Sequence, residues 1–164
     1  NDQELSHASM DCVPGAQDGY RHNKCREEIE KFADMSRKKG LKLTPQRMII
    51  FRILSETRRH LTADEIYQKA KREYPMLSAT TIYRNLESMV NAGLLSHLRV
   101  GGTALRYDTN LDDHHHFVCN KCRKVQDIYL TDVKYELNTE KSSIGKAKID
   151  SSELFLRGVC EDCL

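Results

Sequence analysis

The chain lacks any long apolar run. Its densest apolar block is MIIF at positions 48–51, far short of the ~20 residues that a membrane-spanning helix needs. The first residues, NDQELSHASMDC, also lack the basic start and apolar centre of a secretory signal peptide. These absences argue against a membrane protein or a secreted precursor, and we expect a cytoplasmic protein with no membrane partner.

The chain also lacks the usual signatures of an enzyme. It has no Gly-rich phosphate loop, no H-E-x-x-H helix and no pairing of a nucleophile with a base. Internal repeats and low-complexity tracts are missing as well. We therefore expect a non-enzymatic protein, which at 164 residues can form one domain with a good core or two small ones.

Charge, by contrast, is abundant and unevenly spread. Residues 1–100 carry 17 Lys or Arg against 13 Asp or Glu, whereas residues 101–164 carry 9 against 11. Eight basic residues and one acid, Glu56, lie between Arg37 and Arg59. This asymmetry suggests that the front half meets a polyanion and the back half holds cations, although solvated helix surfaces give the same pattern.

The front of the chain predicts a loose arm, four helices and a hairpin. Thr44, Thr62 and Ser78 are typical helix N-caps, and Gly40 and Gly93 are typical helix ends. Gly101-Gly102 signals a two-residue turn between strands. We expect an arm at 1–23, helices at 24–39, 45–57, 63–74 and 79–92, and strands at 94–100 and 103–109.

Three helices closed by a hairpin describe a winged helix-turn-helix, so we assign residues 24–109 to such a domain, with a hinge at its end. Residues 110–164 predict a small α/β unit with strands at 114–119, 125–130 and 153–159 and a helix at about 131–141. The fold class is therefore α+β. The second unit has little apolar mass, and such units often depend on a metal or on dimerisation.

The helix at 79–92 has the features of a DNA-reading helix. Its apolar residues fall on one face, and its opposite face is polar. Early residues of the second helix in a helix-turn-helix meet base edges, and nearby basic residues bind phosphates. An ordinary amphipathic helix shows the same polar face. The predicted base-contacting residues are Thr80, Thr81, Tyr83 and Arg84, and the predicted phosphate-contacting residues are Lys38, Lys39, Lys42 and Arg47.

Four of the six cysteines form two C-x-x-C pairs, Cys119 with Cys122 and Cys160 with Cys163. Two such pairs can offer four thiolates to one tetrahedral Zn(II) in a closed, structural site. A dithiol redox switch and an iron–sulfur cluster are alternatives that spacing alone leaves open.

The histidines beside the first pair predict a second metal site. His114 and His116 are two residues apart on a predicted strand and therefore share a face. Asp108 and Asp127 are nearby carboxylates in the sequence. Two imidazoles and two carboxylates suit Fe(II) or Mn(II), whereas a solvated histidine-rich loop is the alternative.

The assembled motifs resemble those of the ferric uptake regulator (Fur) superfamily. The resemblance spans residues 38–163, and the motifs that carry it are LTPQR (43–47), HLTADEIY (60–67), ATTIYRNL (79–86), RYD (106–108), HHHFVCNKC (114–122) and GVCEDC (158–163). It implies a homodimeric, metal-responsive repressor that binds double-stranded DNA at a palindromic operator. Residues 110–164 would then form an α/β dimerisation and metal-binding domain.

Within this superfamily the chain is most similar to the peroxide-sensing PerR branch. That resemblance implies a regulatory Fe(II) or Mn(II) held by three histidines and two aspartates. Asp127 is informative because iron-sensing members commonly carry Glu there. The implied regulatory ligands are His60, Asp108, His114, His116 and Asp127.

The resemblance also implies a mechanism, in which peroxide, the only small-molecule substrate, oxidises His60 or His114 when Fe(II) is bound. An iron-sensing or other metal-sensing regulator is the alternative, and Arg84 is more typical of iron-sensing members. Ser152 occupies the place of a histidine that serves a second metal site in many relatives, and Asp113 and His115 are candidate remnants of that site. Cys12 and Cys25 have no counterpart in the family; we expect inert thiols, and a lineage-specific redox element is the alternative.

Overall fold

The computed structural model describes residues 19–164 except 58, 103, 133, 135 and 139, and it describes no side chains for residues 19–26. The front half contains helices α1 (Gly19–Lys38), α2 (Pro45–Thr57), α3 (Ala63–Glu73) and α4 (Ala79–Asn91). Strands β1 (Leu61–Thr62), β2 (Ser96–Arg99) and β3 (Leu105–Asp108) form an antiparallel sheet in the order β1-β3-β2. Helices α2, α3 and α4, followed by the β2–β3 hairpin, confirm the winged helix-turn-helix.

The back half is a second three-stranded sheet. It contains β4 (His115–Cys119), β5 (Val125–Ile128) and β6 (Phe155–Gly158), followed by a 3-10 helix (Glu161–Cys163). The central strand β4 pairs antiparallel with β5 and parallel with β6. The α+β class is therefore confirmed. Every helix in the described part of the chain is too short or too polar to cross a membrane.

Local signals position the helices. Thr62 accepts a hydrogen bond from the backbone N–H of Glu65, whose carboxylate accepts one from the N–H of Thr62, so α3 begins at a capping box. Ser78 caps α4 through the N–H of Thr81. Gly93 follows α4 with a φ of +66°, which ends the helix without the strain that a side chain would cause.

Most of the core lies between the four helices. Phe32 stacks on Phe51 with 4.2 Å between ring centroids, joining α1 to α2. A smaller cluster joins Leu98 of the wing to Val118 and Val125 of the second sheet. The wing hairpin therefore packs on the back half. The side chains that are fully buried in the main core include Phe32, Ile50, Ile66, Ile82, Leu86, Met89 and Leu94.

Two sequence predictions about elements were wrong. The hairpin register pairs Arg99 with Leu105, so its loop has five residues instead of two. Val100 packs against the small cluster that joins the wing to the second sheet, and it lies outside the ladder between β2 and β3. The described residues of 131–141 form bends and turns, not a helix. Leu137 is 47% exposed, and a short helix without tertiary packing is marginal.

Candidate metal centres and nucleic-acid interface

The four predicted zinc ligands come together at one end of the second sheet. Cys119 ends β4 and Cys122 lies in the turn that follows, while Cys160 and Cys163 lie just after β6. We call them the four-cysteine cluster. Their Sγ atoms all lie within 4.8 Å of one another, and all four cysteines are free of disulfides.

The geometry of the four-cysteine cluster fits a tetrahedral metal. Zn–S bonds of about 2.3 Å place two thiolates roughly 3.8 Å apart across a tetrahedral ion. The Sγ atoms of Cys122 and Cys160 are 3.6 Å apart. The cluster can therefore accept Zn(II) with little movement, and such an ion would tie β6 to β4.

Hydrogen bonds within the four-cysteine cluster shift the pKa values of two of its thiols in opposite directions. The backbone N–H groups of Cys122 and Cys160 donate to Sγ of Cys119, at 3.5 and 3.4 Å, and lower the pKa of that thiol to about 6. Hydrogen bonds with the side chains of Cys160 and Cys122 raise the pKa of Cys163 to about 12. Without a metal the cluster holds one thiolate readily, whereas a metal needs all four.

The five predicted regulatory ligands also converge. His60 precedes β1, Asp108 ends β3, His114 precedes β4, and His116 pairs with Asp127 across β4 and β5. We call these residues the histidine–aspartate cluster. One ligand atom from each lies within 4.8 Å of every other.

Distances within the histidine–aspartate cluster match the edges of a coordination shell. Nε2 of His60 lies 3.1 Å from Oδ2 of Asp108 and 3.0 Å from Oδ1 of Asp127. Nε2 of His114 lies 3.2 Å from Oδ2 of Asp108 and 3.0 Å from Nε2 of His116. Ligands bound at about 2.1 Å and at right angles are separated by roughly 3.0 Å.

Two histidines of the cluster present the same ring nitrogen to it. Nδ1 of His114 lies 2.6 Å from the carbonyl of Asp112, and Nδ1 of His116 lies 2.8 Å from a carboxylate oxygen of Glu153. The Glu153 contact has an ion-pair distance without hydrogen-bond geometry, so Nδ1 of His116 has no hydrogen-bond partner among the described residues. The Nε2 atoms of both rings meet at 3.0 Å inside the cluster, where each can bind a cation.

The pKa values of two ligands in the cluster are lowered. Burial would raise the pKa of Asp108, but hydrogen bonds from His60 and from the N–H of Asn110 outweigh it and lower the pKa. Burial lowers the pKa of His116, and so does positive charge on the neighbouring His60 and His114 when they are protonated. An ionised carboxylate and a neutral imidazole are the forms that bind a divalent metal.

Two residues that support the cluster were missed in the sequence. The carboxylate of Glu153 lies 2.8 Å from Nδ1 of His116. Nδ2 of Asn110 donates to Oδ2 of Asp127 at 3.0 Å and to Oη of Tyr129 at 2.7 Å. Glu153 is two residues before Phe155, which pairs with His116, so only the parallel register of β6 reveals it.

His115 and Asp113 lie outside both clusters. Nδ1 of His115 accepts from the N–H of Leu154 at 3.4 Å, and Asp113 is exposed. Within the described residues they join no further group of three or more possible metal ligands. Cys12 lies outside the described residues, as does the side chain of Cys25.

Helix α4 presents the four residues predicted to contact bases. Thr80, Tyr83 and Arg84 are exposed, and the Tyr83 hydroxyl donates to Asp64 of α3 at 3.0 Å. Thr81 is half-buried, and its hydroxyl lies 2.9 Å from that of the cap residue Ser78. The predicted reading face therefore lies on the surface, beside the wing.

The basic residues predicted to contact phosphate differ in whether their side chains contact the rest of the protein. Lys38 and Lys42 are exposed. The guanidinium of Arg47 donates to the carbonyl of Lys42 and, at 3.1 Å, to Ser88 of α4. The amine of Lys39 lies beside Gly93 at the end of α4. In this structure Arg47 and Lys39 contact α4 or its end.

Comparisons with known proteins agree on one family. The sequence model of the ferric uptake regulator family matches residues 38–156. The chain is 33% identical over 136 residues to the peroxide-responsive repressor PerR of Staphylococcus epidermidis, which covers 83% of this chain and 90% of that protein.

Solved structures show the same fold. The Helicobacter pylori ferric uptake regulator Fur has a TM-score of 0.63 at 22% identity, with 85% of this chain and 93% of that chain covered. The Campylobacter jejuni peroxide stress regulator has a TM-score of 0.56 at 27% identity, with 82% and 98% covered.

Proposed function

The chain belongs to the ferric uptake regulator family of metal-responsive transcriptional regulators, and we propose that it is a repressor that senses peroxide. The observation that carries this proposal is the convergence of three imidazoles and two carboxylates in the histidine–aspartate cluster. The similarity to a peroxide-responsive repressor supports it. Members of this family are DNA-binding dimers, and we propose a palindromic operator, read by one helix from each subunit.

We propose that Fe(II) or Mn(II) binds the histidine–aspartate cluster and that Zn(II) binds the four-cysteine cluster. Nitrogen and oxygen donors suit Fe(II) and Mn(II), and four thiolates suit Zn(II). Bound Fe(II) supplies the one-electron chemistry that activates peroxide. The net change is transfer of one peroxide oxygen to an imidazole carbon, with the rest of the peroxide leaving as water.

The positions of the ligands connect metal binding to DNA binding. His60 and Asp108 belong to the front half, with α3 beginning three residues after His60, whereas the other three ligands belong to the back half. We propose the division 24–109 and 110–164 as the two domains. Five simultaneous bonds fix one orientation between them, so metal binding selects the DNA-competent state.

Within the DNA-competent state, α4 is the proposed reading element. Arg84 is exposed and can donate two hydrogen bonds to a guanine, and Tyr83 can pack on a thymine methyl. The remaining proposed contacts are Thr80 and Thr81 with bases and Lys38, Lys39, Lys42 and Arg47 with phosphates.

The peroxide mechanism is tested by peptide mass spectrometry after peroxide treatment. Fe(II)-loaded protein should gain one oxygen, about 16 Da, on His60 or His114 as it leaves DNA. Mn(II)-loaded protein is the matched control and should remain bound and unmodified. If DNA binding is lost while every histidine remains unmodified, the proposed oxidation mechanism is wrong.

An iron-sensing regulator of the same family is the second candidate. The exposed Arg84 favours it, because the sequence resemblance associates this residue with iron-sensing members. An iron sensor predicts that DNA binding increases with the concentration of free Fe(II). It also predicts that DNA binding recovers when metal is added back after peroxide treatment. A permanent loss that follows histidine oxidation supports the peroxide sensor instead.

A further inference from the structure

A cleft of about 280 Å³ lies beside the histidine–aspartate cluster. His60, Asp108 and Asp127 line it, whereas His114 and His116 do not. Glu28 of α1 lines the same cleft. The cleft therefore opens onto one side of the cluster, at a place where α1 of the front half and Asp127 of the back half line the same space.

Burial within the cluster points to the same side. The Asp127 side chain is 28% exposed, whereas those of Asp108 and His60 are 11% and 4% exposed. The side chains of His114 and His116 are 7% and 5% exposed. A solute that comes from solvent therefore meets Asp127 first, and Asp127 lies on the cleft.

The charge of the cleft favours a cation. Three carboxylates line it, from Glu28, Asp108 and Asp127, against one guanidinium, from the exposed Arg59. Carboxylates that line a concave surface raise the local concentration of cations and their rate of arrival.

We propose that this cleft is the entrance by which a divalent cation reaches the histidine–aspartate cluster, and that Glu28 is its outer carboxylate. Asp127 receives the ion first, because it is both the most exposed ligand and a cleft residue. Asn110 holds Asp127 at the cleft by donating to its second oxygen at 3.0 Å. Glu28 is not a ligand of the bound ion, so it controls rates and not the final affinity. The inference rests on the metal site in the proposed function.

Adjacent glutamates on α1 provide a matched pair of variants. Glu28 is half-buried and lines the cleft, whereas Glu27 is exposed and does not line it. Both Glu28→Phe and Glu27→Phe replace one carboxylate with the same ring, but only Glu28→Phe obstructs the entrance. A thermal melt confirms that each variant is folded.

The measurement is the rate of Co(II) binding to zinc-loaded full-length protein, followed by stopped-flow absorbance. Co(II) has visible absorbance bands that report His and Asp ligation, and the chain has no tryptophan for fluorescence. Glu28→Phe should slow association and dissociation together by about tenfold, because an obstructed route affects both directions. The equilibrium affinity of Glu28→Phe for Co(II) should equal that of wild type. Glu27→Phe should bind and release Co(II) at wild-type rates.

A second variant removes the charge without adding bulk. Glu28→Gln should slow association by about threefold at low salt, and the difference should disappear at high salt because exposed charges are screened. This result is informative even if Glu28→Phe does not fold. If both Glu28 variants bind and release Co(II) at wild-type rates, the proposed entrance is wrong. It is also wrong if the variants bind Co(II) more weakly only because dissociation is faster, since that result means that Glu28 stabilises the bound ion.

Failure of the proposed function is distinguishable from failure of this inference. The experiment contains neither DNA nor peroxide, so it does not depend on peroxide sensing. Asp127→Ala should abolish the Co(II) bands. If Asp127→Ala keeps them, the proposed metal set is wrong, and the entrance to it is overturned with it.

Discussion

At the scale of single residues, the histidine–aspartate cluster depends on which imidazole nitrogen carries a proton. The Asp112 carbonyl lies 2.6 Å from Nδ1 of His114 and the Glu153 carboxylate lies 2.8 Å from Nδ1 of His116, and both rings turn Nε2 toward the cluster. Glu153 is 46% exposed and is not itself among the five converging ligands. Its effect on the metal is therefore exerted through His116.

Removing Glu153 should weaken the regulatory metal site. Glu153→Ala removes the carboxylate that lies 2.8 Å from Nδ1 of His116, and we expect Mn(II) affinity to fall by about tenfold. Competition with a fluorescent chelator measures it. Glu153→Gln keeps an acceptor oxygen and should recover part of the loss. Equal affinity in all three proteins would show that His116 is positioned without Glu153.

At the scale of elements, α3 and α4 are set by their own capping residues, so their N-terminal ends were predictable from sequence. Thr62 and Ser78 each cap the helix that the sequence assigned to them. Strand β1 was not predictable, because its two residues are extended only through pairing with Tyr107 and Arg106 of β3.

The candidate sites were predictable from sequence only where the ligands lie close together in the chain. Strand parity was enough to place His114 and His116 together, and the C-x-x-C spacing was enough to pair Cys119 with Cys122. The contribution of His60, 48 positions before Asp108, came only from family resemblance. Glu153 and Asn110 required the register of strands that are far apart in the sequence.

The capping box of α3 gives a stability prediction. Thr62→Ala removes the acceptor for the N–H of Glu65, and we expect the free energy of unfolding to fall by about 1 kcal/mol. Urea unfolding followed by circular dichroism measures it. Thr62→Ser keeps a capping hydroxyl and should remain near wild type. A Thr62→Ala protein as stable as wild type would mean that packing alone sets the start of α3.

The exposed face of α4 gives a DNA-binding prediction. Arg84→Ala should weaken binding to an operator selected from random DNA by the wild-type protein, by about 1–3 kcal/mol, and should relax specificity at one base pair. Fluorescence anisotropy measures it. Arg72→Ala removes an equally exposed arginine from α3 and should change binding little. Equal losses in both variants would indicate that the charge of Arg84 matters and its position does not.

At the scale of the whole molecule, the back half combines a small apolar cluster with two groups of possible metal ligands. The four-cysteine cluster joins β4 to β6, and the second sheet contributes only Val118 and Val125 as buried residues to the small apolar cluster. Several apolar side chains of the back half remain exposed, including Leu137, Ile149 and Leu156. We therefore expect the back half to depend on metal and on a dimer partner for stability.

Loss of the zinc ligands should destabilise the back half. We expect Cys119→Ser to lower the zinc content per chain, lower the melting temperature and shift the dimer toward monomer. Metal analysis and analytical ultracentrifugation measure these effects. Cys12→Ser, outside the four-cysteine cluster, is the control and should match wild type. Full zinc content in Cys119→Ser would contradict the assignment.

The histidine–aspartate cluster links the two halves, and this link is the central claim. Asp127 tests it most directly, because Asp127 belongs to the back half and contacts His60 of the front half at 3.0 Å. The measurement is Mn(II)-dependent binding of Asp127→Ala to the selected operator, with the exposed Asp113→Ala as control. We predict that Asp127→Ala loses the Mn(II) dependence and keeps its zinc, while Asp113→Ala behaves as wild type. Operator binding by Asp127→Ala that still responds fully to Mn(II) would contradict the account.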